Sequence, residues 1–317
     1  MRLFLALAAA LIALVPPALT AGGPGAGGIR ATPVRFDPGD PARDRVGRLR
    51  WLGGWALRSQ DRRFGGFSAL GVMGPGRLVA ISDSAIVARL TVGHGVAGTV
   101  APLPAAAGAL KQNKDAESLA HDPSGGGWWV GYEGANAIVR YSTALDRREA
   151  EARPPAMAGW PPNGGPEAMA RLPDGRLLVM AEDAPSADGG RDALLFPRDS
   201  TADGAATPLR FTYRPPPRQS PSGAATLPDG RVLVLNRGVR IGMPPFVATL
   251  TIVDPRAIRP GAVVAGTHVA TLAPPLTVDN MEGVTVSREG GRTIVWLISD
   301  DNFLPFQRTL LLKFALE

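Results

Sequence analysis

The 317-residue chain has no cysteine, which excludes a disulfide framework and any thiol chemistry. A domain of this length buries enough apolar surface to fold without covalent staples. Histidine is scarce as well. His94, His121 and His268 are the whole supply, too few for an imidazole-rich zinc or copper centre, and His121, in a His-Asp-Pro sequence, reads as a turn residue. Lysine is limited to Lys111, Lys114 and Lys313, so all but three of the 34 basic residues are arginines. They are scattered, and the net charge of +6 comes without the basic block that nucleic-acid binding calls for. No apolar run is long enough to span a bilayer. The longest, Leu3 to Val15, falls short of the roughly 18 to 20 residues required. Met1 and Arg2 precede it and the small residues Pro16 to Ala21 follow, so residues 1–21 are expected to be a cleaved signal peptide. The mature protein is then expected to be a periplasmic or secreted monomer with no membrane insertion.

Glycine and proline are abundant, at 39 and 31 residues, and they punctuate short apolar runs with hardly any helical periodicity. That is the pattern of an all-β chain. Residues 22–46, rich in Gly, Pro, Ala and Arg, read as a flexible leader to a domain over 47–317. Within the domain a phrase repeats: a small or acidic residue, an alternating strand, a tight turn and a more apolar strand. Its clearest copies run from Glu167 to Glu182 and from Gly223 to Asn236, each turning at Leu-Pro-Asp-Gly. Weaker copies start at Ser68, Glu117 and Glu282. Starts about 50 to 60 residues apart suit a four-stranded propeller blade. Further strands follow at Ala137–Tyr141, Arg148–Arg153, Ala193–Phe196, Thr207–Tyr213, Phe246–Val253 and His268–Leu272. The last repeat has one, Thr309–Leu316, so Arg48–Leu57 is expected to complete its blade from the other end of the chain. The expectation is a closed five-bladed β-propeller, or six blades if Val34–Leu57 supplies more than one strand.

In such a blade the first residue of the inner strand and the last residue of the second strand meet at one face, near the axis. These positions are Ser68 with Asp83, Glu117 with Glu133, Glu167 with Glu182, Gly223 with Asn236, and Glu282 with Asp300 and Asp301. So many carboxylates at one end raise one another's pKa unless a cation compensates. Ca²⁺ takes six to eight oxygen ligands and is the natural candidate. Glu117, Glu167, Glu282 and Asp300, with Asp83, are the expected metal ligands, and Glu133, Glu182 or Asp301 the expected general base. Asp174 and Asp229 belong to turns on the opposite face, and Trp128 and Trp129 to the core. Gly65 to Gly71 lacks the last glycine of a nucleophile elbow and its strand-turn-helix setting.

The segments Phe64-Gly-Gly-Phe-Ser-Ala-Leu70, Ile81-Ser-Asp83, Asp115-Ala-Glu-Ser-Leu119, Pro166-Glu-Ala-Met169, Asp279-Asn-Met-Glu-Gly-Val284 and Ile298-Ser-Asp-Asp-Asn-Phe303 resemble the phytase-like domain family of exported bacterial proteins. The resemblance runs over Gly47 to Glu317. It implies a propeller with an acidic channel mouth and calcium-dependent hydrolysis of phosphate esters. It also implies basic side chains for phosphate, for which the chain offers Arg63, Lys114, Arg140 and Arg237, with Asn236 beside the last. An anionic or ester small molecule is the expected substrate. A lactone or carboxylester hydrolase, and a non-catalytic binding propeller of the cell envelope, stay open as alternatives.

Overall fold

The computed structural model describes residues 28–104, 115–122, 126–197, 201 and 207–317. The expected signal peptide and Lys114 therefore lie outside the described residues. Three strands come first: β1 (Arg30–Pro33), β2 (Arg45–Val46) and β3 (Leu49–Arg58). The first blade follows as β4 (Phe67–Gly74), β5 (Arg77–Ser82), β6 (Ile86–Val92) and β7 (Val96–Pro102). The second is β8 (Ala116–His121), β9 (Trp128–Tyr132), β10 (Ala137–Tyr141) and β11 (Arg148–Ala152). The third is β12 (Pro166–Arg171), β13 (Leu177–Pro185), β14 (Arg191–Phe196) and β15 (Leu209–Arg214). The fourth takes β16 (Gln219–Thr226), β17 (Val232–Val239), β18 (Phe246–Val253) and, after β19 (Val263–Ala265), β20 (Thr267–Leu272). Strand β19 leaves its own blade and pairs in parallel with β15 of the third. The fifth is β21 (Asn280–Glu289), β22 (Arg292–Asp300) and β23 (Thr309–Leu316), with β3 as its fourth strand.

Five four-stranded blades thus form the ring, closed as expected. Thr309 stands opposite Leu57 and Leu316 opposite Leu49 in an antiparallel pairing. The six-blade alternative fails because β1 and β2 both pair with β3 and stay in the fifth sheet. From Ile29 onward the expected leader is also part of the domain. Ile29 bridges to Gly98, and Phe36, the one aromatic between residues 22 and 46, is buried, stacked on Trp51 with ring centroids 5.1 Å apart. One well-placed aromatic outweighs the turn-rich composition around it, since a buried ring contributes on the order of 2 to 3 kcal/mol.

The core lies between blades. Each of five apolar clusters joins neighbouring sheets, for instance Val234 with Phe211 and Leu178, or Leu235 with Leu297 and Leu312. Trp128 and Trp129 point to opposite faces of β9, as side chains on adjacent strand positions must. One enters the cluster shared with the first blade and the other the cluster shared with the third. The Pro-Asp-Gly turns sit at the end away from the register acids, as expected. There the Asp174 and Asp229 carboxylates accept the N–H groups of Arg176 and Arg231.

One irregularity recurs in every blade. Pairing of the inner strand with the second strand slips by one residue between Phe67 and Ala69, Ala116 and Ser118, Pro166 and Ala168, Pro221 and Gly223, and Met281 and Gly283. A bulge leaves one residue unpaired and re-aims its side chain. Five bulges at one level of the ring therefore select five residues: Ser68, Glu117, Glu167, Ser222 and Glu282.

Candidate metal centre at the acidic channel mouth

The bulge residues form the inner ring of the mouth. Ser68, Glu117 and Glu167 line a cavity of about 10 Å³ in the channel, which is about room for one water. A second ring is set by the second strands, each member standing one residue past the partner of the residue before the bulge: Asp83, Glu133, Glu182, Arg237 and Asp300. The register locates the fourth blade differently from the sequence reading. Pro221 pairs with Asn236 as Pro166 pairs with Ala181, so Ser222 and Arg237 hold the ring positions, and Gly223 and Asn236 are each one residue away. Asn236 is fully buried. It accepts the Tyr213 hydroxyl at 2.8 Å and donates to the Thr249 carbonyl at 3.1 Å, inside the sheets. Its polar atoms are spent on the fold, which corrects the expectation that it binds substrate.

The carboxylates fall into groups. One ligand oxygen from each of Asp115, Glu117 and Glu133 lies within 4.8 Å of the other two, and the same holds for Glu133, Glu167 and Glu182. Glu133 belongs to both. Burial, then Asp115 and Glu182, push Glu133 up to about 7, against hydrogen bonds with the Gly165 N–H, at 3.3 Å, and with Glu167. Burial and neighbouring carboxylates also raise Glu117 and Glu167 well above the usual range. Asp300 is pushed up to about 8 by burial and by Glu282, and Asp83 is raised chiefly by burial.

Among the described residues, Arg237 is the cation paired with the rings. It donates to Glu182 Oε1 at 2.7 Å and Asn280 Oδ1 at 3.2 Å, and its Nε lies 3.4 Å from Glu282 Oε1. Burial works against its charge, but Glu282 and Glu182 outweigh that and hold the guanidinium above its usual range. Glu282 is raised by burial, with Arg237 opposing. It also accepts from Asn280 Nδ2 at 2.8 Å. Of the five expected metal ligands, Glu117 and Glu167 thus enter the triads. Glu282 and Asp300 stand beside them, Glu282 already paired and Asp300 accepting the Asn302 N–H at 2.6 Å.

Other expected residues serve elsewhere. Asp301 accepts the N–H groups of Gly66 and Phe303, each at 3.1 Å, and the Thr309 hydroxyl at 2.8 Å. It is a clamp on the loop between β22 and β23, with little left to act as a base. Arg63 is exposed and paired with Asp61 at 2.6 Å. Arg140 lies toward the opposite end of the channel, donating to the Gly126 carbonyl and 3.5 Å from Glu149. Strand direction carries it there, since β10 descends from the acidic mouth. Asp115 was missed as a ligand candidate. Its signal was the i, i+2 pair Asp115-Ala-Glu117, which matches Asn280-Met-Glu282 at the same bulge.

These features define a class, the five-bladed β-propeller with an acidic channel mouth. A family profile described as "Phytase-like: Esterase-like activity of phytase" matches residues 62–303, and the chain belongs to that family. No curated protein matches it. Among solved structures, the Myxococcus xanthus glutaminyl cyclase is similar at 12% identity and a TM-score of 0.48, over 86% of this chain and 100% of that one. The Kuenenia stuttgartiensis hydrazine synthase is similar at 12% identity and a TM-score of 0.39, over 76% of this chain and 58% of that one. The U3-55K structure is similar at 9% identity and a TM-score of 0.43, over 82% and 98%.

Proposed function

We propose that the acidic mouth is a calcium-dependent site for ester hydrolysis, with phosphoesters the first substrate class. The observation that carries this reading is the pair of carboxylate triads sharing Glu133. Their hard oxygen donors fit Ca²⁺, whose ligands stand about 2.3 to 2.6 Å from the ion, and family membership points the same way. Asp115, Glu117, Glu133, Glu167 and Glu182 would hold the metal. When bound, Ca²⁺ supplies positive charge for a developing oxyanion and acidifies a bound water.

The protein's own residues supply the rest. Asp300, pushed up to about 8, carries its proton at neutral pH and suits protonation of a leaving alcohol. Arg237 orients Glu182 and Glu282 and, among the described residues, is the cation at hand for a substrate anion. Arg237 is already shared between two carboxylates, and Arg63 and Arg140 are engaged elsewhere. Among the described residues this shortage of free cations disfavours a densely phosphorylated substrate, and it is the observation that favours a lactone or carboxylester as the second reading.

Metal content of the purified protein should be measured first. Turnover of aryl phosphates, aryl acetates and lactones should then be compared with and without a chelator. Chelator-sensitive turnover that disappears in Glu133→Gln supports the proposal. A melting temperature indifferent to calcium, with turnover indifferent to chelator, would return the chain to the binding-propeller reading.

A further inference from the structure

The other mouth of the channel has the opposite chemistry. The far halves of all five inner strands enclose an open cavity of about 370 Å³, within the range of small-ligand pockets. Leu119, Met169 and Val284 contribute its apolar wall, and its ionisable lining residues are His121, Arg171 and Arg288, with no carboxylate. Arg171, the last residue of β12, is half-buried. Its guanidinium carbon lies over the Trp129 ring, 4.6 Å from the centroid, and its Nε and Nη1, both shielded from solvent, have no hydrogen-bond partner among the described residues. Arg140, the other arginine near Trp129, has Glu149 at 3.5 Å. Arg171 has no such counter-ion among the described residues. Its strand end is fixed all the same, because the Thr226 hydroxyl donates to the Arg171 carbonyl at 2.8 Å.

A half-buried cation without a counter-ion is costly, and stacking on an indole pre-orients the planar guanidinium for an anion. His121, tilted against Trp128 with ring centroids 4.3 Å apart, is held below its usual pKa by burial. It is neutral at pH 7 and offers one N–H donor. We propose that this cavity is a second binding site, taking a small monocarboxylate with its anion at Arg171 and its apolar body in the channel.

The test is titration of the full domain with hexanoate and, separately, hexanol. The readouts are calorimetry and the NMR signals of the His121 ring and the Trp128 and Trp129 indole N–H groups. Saturable hexanoate binding that moves these signals is expected, weakened at least tenfold in Arg171→Gln, weakened less in Arg171→Lys, which keeps the charge but not the stacked plane, and unaffected by Glu133→Gln at the far mouth. Absence of binding to the wild-type domain would overturn the proposal, as would equal affinity for hexanol or equal affinity in a folded Arg171→Gln. If Arg171→Gln does not fold, the wild-type signals and the hexanoate-to-hexanol comparison still decide.

Discussion

Arg237 stands where the other four blades place Asp83, Glu133, Glu182 and Asp300, and this single exchange sets the electrostatics of the mouth. Breaking a buried ion pair by removing one partner costs about 3 to 5 kcal/mol when burial is complete. Arg237 is a quarter exposed, so the cost falls somewhat below that range. Arg237→Gln should therefore destabilise the metal-free protein by roughly 2 to 3 kcal/mol. Calcium should protect the variant more than the wild type, because Glu182 and Glu282 are released to bind it. Urea unfolding with and without Ca²⁺ checks both. The neighbours Asp300 and Asp301 should separate by role. Asp301→Ala removes three hydrogen bonds and frees Asn302 and Phe303, both held at positive φ. It should lower the melting temperature by several degrees. Asp300→Asn should leave that temperature equal or higher while turnover falls at least a hundredfold, because a protonated carboxyl and an amide have the same charge and nearly the same shape, but the amide cannot give up a proton.

At the level of the strands, the decisive feature is the bulge near the start of each inner strand. It brings neighbouring backbones close: a Cβ on Gly223 would meet the Glu282 carbonyl at 2.6 Å, and one on Gly283 would meet the Ala69 backbone at 3.0 Å. Gly223→Ala and Gly283→Ala should each cost about 1 to 3 kcal/mol and reduce calcium affinity, measurable by thermal melts and calcium titration. The same bulge explains what was legible in the sequence. The tight turns and the apolar strands after them made the repeat and its strand order legible, and the strand missing from the last repeat made the closure so, because turn chemistry and alternation are local. The blade number stayed between five and six until the pairing of β1 and β2 with β3 settled it. A bulge adds one residue without a compositional mark. Counting from Gly223 to Asn236 therefore placed the fourth blade one residue off Ser222 and Arg237, although Arg237 was among the expected basic residues, while Glu117, Glu167 and Glu282 stand at the bulge itself. Partners reached across the ring, such as Arg237 with Glu282 or Asp301 with Gly66, have no sequence signature at all.

For the whole molecule, the crowded acids make stability depend on pH in an inverted way. Folded carboxyls raised above their unfolded values bind more protons in the native state. Their contribution is complete below the unfolded values, 4.5 for Glu133 and 3.8 for Asp300, and is lost as pH rises through about 7 for Glu133 and about 8 for Asp300. The metal-free protein should melt several degrees lower at pH 8.5 than at pH 5.5, and saturating calcium should flatten or reverse that slope, as scanning calorimetry at both pH values would show. Ring closure has a kinetic side. Strand β3 leaves the ribosome early, but Leu49 must wait for Leu316, a delay on the order of tens of seconds at ordinary synthesis rates. Throughout that time the edge of β3 that faces β23 is unpaired, and this pairing is among the most non-local contacts the chain can form. Four blades can be gathered before the ring is sealed, so the final eight-residue strand acts as the commit step of biosynthesis. A chain stopped before Thr309 should accumulate as an open, aggregation-prone arc.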